Sequence, residues 1–135
     1  MKKFELSDYY DLLNLHKALM EAKFHENPDN EYIAGSPIIA KFMNEIVDIL
    51  TAIDPHVNDD DWKEWRKLKN QLNSMCGFEK NIWDKIANRV SKDKLWKEYN
   101  IEKKIIATKN YFSPFILTDE KIENFIHYVD NKYTK

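Results

Sequence analysis

Apolar residues recur every three or four positions through most of the chain, and this spacing predicts amphipathic helices. In the first such stretch they are Tyr9, Leu12, Leu13, His16, Leu19, Met20 and Phe24. Ser7 is a favourable N-cap residue for this helix, and the sequence Asn27-Pro28-Asp29-Asn30 predicts its end. The first helix is therefore expected between these two signals.

The second predicted helix is the most apolar segment of the chain. It begins at Ser36-Pro37, an N-cap followed by the residue favoured at the first helical position, and it runs to about Ile53. Apolar residues cover more than half of its circumference: Ile38, Ile39, Phe42, Met43, Ile46, Val47, Ile49, Leu50 and Ile53. We therefore expect it to be the central helix, covered by its neighbours on several sides.

The rest of the chain predicts about four more helices. The third opens at Asn58-Asp59-Asp60-Asp61, carries Trp62, Trp65, Leu68, Leu72 and Met75, and ends at Gly77. The fourth carries Phe78, Ile82, Trp83, Ile86 and Val90. A fifth, capped by Asp93, continues with a kink to Phe112, although residues 104–111 also fit a short strand. Ser113-Pro114 breaks the chain, and Thr118 caps a last helix.

These elements predict an all-α fold in which about six short helices form a single compact, bundle-like domain over residues 1–135. Two glycines and four prolines are too few for the many tight turns of an all-β protein. Cys76 is the only cysteine, which excludes an internal disulfide and fits a reducing compartment. No apolar run approaches the roughly 18 residues of a membrane span, and the N-terminus turns acidic where a signal peptide would be apolar. We expect a soluble cytoplasmic protein.

No catalytic motif accompanies this pattern. The histidines do not pair at metal-ligand spacing, and nothing favours a site built from His25, Glu26, His56 and the aspartates at 59–61. Cys76 has no histidine nearby in the sequence, and two glycines exclude a glycine-rich phosphate loop. His16 and His127 are expected to be partly buried, hydrogen-bonded structural residues. We predict that the protein is not an enzyme and that it takes no cofactor and no metal.

Charge is divided unevenly along the chain. Residues 1–61 hold 5 Lys/Arg against 13 Asp/Glu, a net charge of −8, whereas residues 62–135 hold 16 against 10, a net charge of +6. The formal net charge of −2 therefore conceals an acidic half and a basic half. Clustered charge of this kind selects partners and steers association.

Two acidic segments are candidates for binding a basic protein. The aspartates at 59–61 suit the start of a helix, where they offset the exposed N–H groups, and they also add surface charge. Residues 25–35 form a longer connection than a bundle needs, with three acids beside Tyr32. This loop suits recognition of a basic surface, although an ordinary solvated loop with Tyr32 and Ile33 over the core fits equally well.

The basic half suggests a different partner. Lys63, Arg66, Lys67 and Lys69 lie on one helix with Trp62 and Trp65, and interleaved cations and aromatics can bind nucleic acid. The same tryptophans belong to the apolar stripe, so burial is the competing interpretation. A helix-turn-helix formed by the third and fourth helices around Cys76-Gly77 is a related alternative.

The sequence His25-Glu26-Asn27-Pro28, followed by Ile33-Ala34-Gly35-Ser36-Pro37 and an apolar helix, resembles small bacterial immunity proteins of the contact-dependent growth inhibition type. The resemblance covers about a dozen residues. It implies a cytoplasmic protein that binds one toxin, often a nuclease, and blocks its active site by charge and shape. No residue role can be transferred from it. The residues predicted to bind a basic toxin are Glu26, Asp29, Glu31, Tyr32, Asp54, Asp59, Asp60 and Asp61. The alternative is a nucleic-acid-associated regulator that uses the basic half.

Overall fold

The apolar stripes form helices in the computed structural model, which describes residues 5–6, 8–25, 32–67 and 82–133. The helices are α1 (Tyr9–Phe24), α2 (Pro37–Ile53), α3 (Asp59–Arg66), α4 (Ile82–Ser91), α5 (Ile101–Phe112) and α6 (Asp119–Tyr133). A 3-10 helix, Trp96–Glu98, lies between α4 and α5, and the described residues contain no strand. The chain forms a single compact all-α domain, as predicted, and the strand considered over residues 104–111 is wrong.

Side-chain caps set most of the helix starts. Ser36 Oγ accepts a hydrogen bond from Ile39 N, Asn58 Oδ1 accepts one from Asp61 N, and Thr118 Oγ1 accepts one from Lys121 N. These three predicted starts are confirmed. The N-cap residue of α1 is Asp8, whose Oδ2 accepts a hydrogen bond from Tyr10 N at 3.1 Å, one residue after the Ser7 that the sequence predicted. Ser7 itself lies outside the described residues.

The predicted fifth helix is divided into two pieces. Asp93 Oδ1 accepts from Leu95 N in the turn before the 3-10 helix, whose N-cap residue Leu95 makes no side-chain capping bond, and Asn100 Oδ1 then accepts from Lys103 N to begin α5. Asn100 supplied a second capping signal that the sequence analysis overlooked. The predicted third and fourth helices also included Leu68, Leu72, Met75, Gly77 and Phe78, which lie outside the described residues together with Cys76.

The main core lies where α4, α5 and α6 meet α1 and α2. It contains fully buried Ile82, Phe112 and Phe125, and the rings of the two phenylalanines meet edge to face at 4.9 Å. A smaller cluster of Leu12, Ile46 and Leu50 joins α1 to α2. The prediction that α2 is covered on several sides is wrong for its outer face. Ile38, Phe42, Ile49 and Ile53 on that face are 42–63% exposed.

Two cations, buried Lys23 and partly buried Arg66, hold the turn between α5 and α6. Lys23 on α1 is 1% exposed, and its Nζ donates to the carbonyl oxygens of Asn110 and Ser113. From α3, Arg66 donates through Nε to Pro114 O at 2.9 Å and through Nη2 to Asn44 Oδ1 at 2.9 Å. The turn thereby acquires donors from several helices, because its own chain cannot satisfy these carbonyl groups.

The two cations are stabilised differently. Arg66 also reaches the exposed carboxylate of Asp48, whereas Lys23 forms no ion pair with a described residue. Burial lowers the pKa of Lys23 to about 7. The two carbonyl acceptors oppose part of that shift, since they favour the charged ammonium group. The positive charge of Lys23 is therefore stabilised by backbone carbonyl groups, whereas that of Arg66 is also stabilised by the carboxylate of Asp48.

His16 is buried, as expected, but it is not fully hydrogen bonded. Its ring packs edge to face on Trp62 and Trp65, and its Nδ1 has no hydrogen-bond partner among the described residues. Burial, with a smaller contribution from Lys17, lowers the pKa of His16 to about 4. The other histidine expected to be partly buried, His127, is exposed on α6.

We predict that Arg66→Met lowers the free energy of unfolding by about 2–3 kcal/mol, because it leaves Pro114 O and Asn44 Oδ1 without their charged donor. Lys67→Met is the matched control, since the neighbouring Lys67–Glu64 ion pair is exposed and should contribute less than about 0.5 kcal/mol. Urea denaturation measures both. Equal losses in the two variants would show that Arg66 does not hold the turn.

We also predict that His16 makes stability fall in acid. Its pKa in the folded protein lies below the ordinary value of 6.5, so the unfolded chain binds more protons between pH 6.5 and pH 4. The free energy of unfolding should therefore decrease as the pH falls through this range. In His16→Gln, which cannot titrate, the decrease between pH 7 and 4.5 should be smaller by about 2 kcal/mol. Denaturation series at the two pH values provide the test, and identical decreases would refute it.

Candidate functional site

Asp54 joins three helices at one end of the molecule. As the C-cap residue of α2 it accepts hydrogen bonds from His56 N at 2.8 Å and Val57 N at 3.3 Å, and from Trp62 Nε1 of α3 at 3.0 Å. Partial burial opposes ionisation of its carboxyl group, but these bonds and one from Tyr9 on α1 outweigh it and lower the pKa. Asp54 is therefore an anionic structural residue that brings the start of α1, the end of α2 and the start of α3 together.

Further carboxylates surround this junction. Asp8 and Asp11 flank Tyr9 at the start of α1, and Asp60 and Asp61 precede Trp62 on α3. We call these four residues and Asp54 the acidic end. The four surface aspartates are exposed, and none of them forms an ion pair with a described residue.

Exposed apolar and aromatic surface accompanies these carboxylates. The ring of Tyr9 lies 5.0 Å from that of Tyr10 and 5.6 Å from that of His56. Tyr10 is 60% exposed, and Val57 and Ile53 are about 40% exposed. The acidic end thus combines negative charge with side chains that a protein partner can cover.

The structure separates the predicted binding residues into two regions. Asp54, Asp60 and Asp61 lie together at the acidic end, and Asp59 is the first residue of α3. Tyr32 precedes the other end of α2, whose 17 residues span about 25 Å. Glu26, Asp29 and Glu31 lie outside the described residues, between His25 and Tyr32. Tyr32 therefore lies about one helix length from the three aspartates with which the sequence grouped it, and its role in binding a partner stays a prediction. That residue is 87% exposed, which also excludes the alternative that it covers the core.

Tyr32 instead lines a cleft of about 1050 Å³ at the start of α2. We call it the basic cleft and define it by Tyr32, Arg89, Lys92, Lys94, Tyr99, Lys103 and Tyr111. Its walls come from the turn before α2, from the end of α4 with the segment after it, and from α5. Four cations and three aromatic rings therefore meet in one depression.

Asp93 is the acidic residue among those that line the basic cleft. Burial and the neighbouring Asp93 carboxylate raise the pKa of Tyr99. Burial and Asp93 also raise the pKa of Tyr111 to about 12. Both hydroxyl groups therefore stay protonated at neutral pH and remain hydrogen-bond donors. Arg89 donates to the carbonyl oxygen of His25, which joins α4 to the end of α1.

Gly35 brings the turn before α2 against the cleft wall. A Cβ atom at this position would lie 2.7 Å from Cζ of Tyr111, inside van der Waals contact. The absence of a side chain at Gly35 is therefore what allows the turn to approach α5 this closely. A close approach of this kind joins residues that are far apart in the chain, so it leaves no signal in the sequence around Gly35.

Two cations of the basic helix suggested for nucleic acid make structural contacts. Arg66 binds the turn between α5 and α6, and Lys67 pairs with Glu64 on the same helix. Trp62 and Trp65 pack on each other and on His16, which supports the burial interpretation. The turn at Cys76-Gly77 lies outside the described residues.

Comparison with models of protein families, with curated proteins and with solved structures found no match. The two regions must therefore be interpreted from their own chemistry. Within the described residues, no three His, Cys, Asp or Glu side chains are placed to hold a metal ion. None of the helices there is long and apolar enough to cross a membrane.

We predict that Gly35→Ala displaces the Tyr111 ring and lowers the free energy of unfolding by roughly 1–2 kcal/mol. In a Tyr111→Leu background the methyl group has no phenol ring to meet, so the same substitution should cost less than half as much. Urea denaturation of the four proteins in this double-mutant cycle measures the coupling. A cost that does not depend on residue 111 would contradict the proposed contact.

Proposed function

We propose that the protein is an immunity-type inhibitor that binds and neutralises a basic protein toxin, with a nuclease domain as the expected partner. The observation that supports this most directly is the convergence of carboxylates from three helices at the acidic end. Asp54 organises the junction and Asp8, Asp11, Asp60 and Asp61 extend the negative surface. A nuclease presents a basic groove to its nucleic acid, so a negatively charged surface can occupy the same groove.

The acidic end has the features that favour fast and specific association. Its exposed aspartates produce a negative potential that attracts a basic partner before contact, which raises the association rate at low salt. The acidic end is also held in place, because Trp62 of α3 donates to Asp54 at the end of α2 and the ring of Tyr9 on α1 packs on His56. A rigid surface loses little conformational entropy on binding.

Affinity also requires desolvated contacts near the centre of an interface. Tyr10 is suited to this role, since tyrosine is enriched among residues that dominate binding and this one is 60% exposed. Val57 and Ile53 add apolar area beside it. The arrangement, with an aromatic side chain among carboxylates, resembles the acidic surface that the sequence predicted but uses Tyr10 where the sequence suggested Tyr32.

We predict that Asp8→Asn/Asp60→Asn/Asp61→Asn slows association with the toxin about tenfold at low salt. Asparagine at position 8 preserves the N-cap of α1, so the charge is removed without the cap. Glu26→Gln/Asp29→Asn/Glu31→Gln is the matched control: it changes the net charge by the same amount in the segment next to Tyr32, and it should change the rate less than twofold.

The toxin for this measurement is captured on immobilised wild-type protein from a lysate of the source cells at low salt and is then purified. Binding kinetics are recorded at two salt concentrations, and growth is followed when the captured protein is expressed with each variant. Growth arrest relieved by the wild type but not by the acidic-end variant supports the proposal. It fails if the captured protein is harmless, or if both variants bind and protect equally.

A further inference from the structure

The basic cleft has no role in the proposed inhibitor function, yet its charge is concentrated. Lys92, Lys94 and Lys103 are exposed at the cleft, and none of them forms an ion pair with a described residue. Arg89 adds a fourth positive charge, held in place by its bond to His25 O. Cations gathered in a depression raise the local concentration of anionic ligands.

Apolar and aromatic surface lies beside these cations. Tyr32 is 87% exposed, Ile106 is 59% exposed and Leu95 is 54% exposed, and all three line the cleft. A site for inorganic phosphate alone would not need such surface. The combination fits a ligand with negative charge and flat apolar faces.

We propose that the basic cleft binds nucleotide units, with phosphate groups on Lys92, Lys94 and Lys103 and a base stacked on Tyr32. Base stacking on an exposed tyrosine is tolerant of sequence, and lysines contact phosphates as point charges. An acidic peptide would supply the negative charge but not the flat apolar rings that can stack on Tyr32, so a nucleotide fits the cleft better. The cleft volume of about 1050 Å³ is at the upper limit of ordinary small-molecule sites, which leaves room for more than one nucleotide.

Nucleotide binding at the cleft is compatible with the acidic end because the two regions are far apart. Pro37 lines the cleft and Asp54 caps the opposite end of α2, about 25 Å away. This separation is about three Debye lengths at physiological salt, so the aspartates do not repel a phosphate in the cleft. Nucleotide binding at the cleft does not depend on the proposed inhibitor function. It also differs from the nucleic-acid binding considered from the sequence, because the residues involved are not those of the helix with Trp62 and Trp65.

Fluorescence polarisation with a labelled oligothymidylate of 12 nucleotides tests the inference in the full chain. The logarithm of the affinity should fall with the logarithm of salt concentration with a slope of about −2, as expected for three phosphate contacts on a single strand. Lys92→Gln/Lys94→Gln/Lys103→Gln should lose more than tenfold in affinity and most of the slope. Tyr32→Ala should weaken binding by about tenfold. These side chains are exposed, and circular dichroism confirms that each variant is folded.

The matched control is Lys17→Gln/Lys63→Gln/Lys121→Gln, which removes the same charge outside the cleft and should change affinity less than twofold. The ligand could be a free nucleotide or a single strand, and thymidine monophosphate as competitor distinguishes the two. If it displaces the oligonucleotide, the cleft is assigned to free nucleotides. If it does not, the cleft is assigned to single strands. No binding at low salt overturns the inference. Equal binding of a duplex or of polyglutamate, or an equal loss in the control variant, also overturns it.

Discussion

Two cations, buried Lys23 and partly buried Arg66, satisfy carbonyl groups at the turn between α5 and α6, and the packing of α1 and α3 depends on that constraint. Helix α5 ends at Phe112, and Pro114 has no N–H group to offer. Lys23 and Arg66 supply the missing donors from α1 and α3. Buried backbone acceptors without partners cost about as much as a large core mutation, so the helices that carry these donors must lie against the turn. Asn44 on α2 completes the arrangement by donating to Ser113 Oγ at 3.3 Å.

Once α1, α2 and α3 are held in this way, α2 separates two surfaces of opposite charge. One end of α2 meets the basic cleft through Pro37, and the other carries the acidic end through Asp54. The carboxylates of the acidic end come from the acidic half of the chain, and the cations of the basic cleft come from the basic half. Of the ion pairs among described residues, Arg66–Asp48 crosses between the acidic and basic halves, and the other two lie within the basic half. The aspartates of the acidic end and the lysines of the cleft face solvent, where they are available to partners.

Some residues of the candidate surfaces could be predicted from the sequence, and others are brought together only by tertiary packing. Asp60 and Asp61 were identified because charge density is a local property of the sequence. Tyr10 was missed because it carries no local signal, and only the packing of Tyr9 on His56 brings it to the same end. Tyr32 was assigned to an acidic surface by its neighbours in the chain, but the approach of Gly35 to Tyr111 places its turn against basic α4 and α5 residues. The lysines of the cleft come from separate segments, so no spacing along the chain groups them.

The sequence by itself determined the all-α class and most helix starts, because periodicity and N-caps depend on residues within a few positions of one another. It also determined how charge is divided along the chain, because that division is a count over neighbouring residues. Tertiary structure alone decided which cations hold the fold together and which face solvent. Nothing local in the sequence separates Lys23 from Lys92 or Lys103, but Lys23 is buried against the carbonyl groups of Asn110 and Ser113, whereas the other two are exposed. The tertiary structure also leaves the outer face of α2 exposed. The apolar residues around a helix indicate how much of its surface can be buried, but they do not determine how many other helices pack against it.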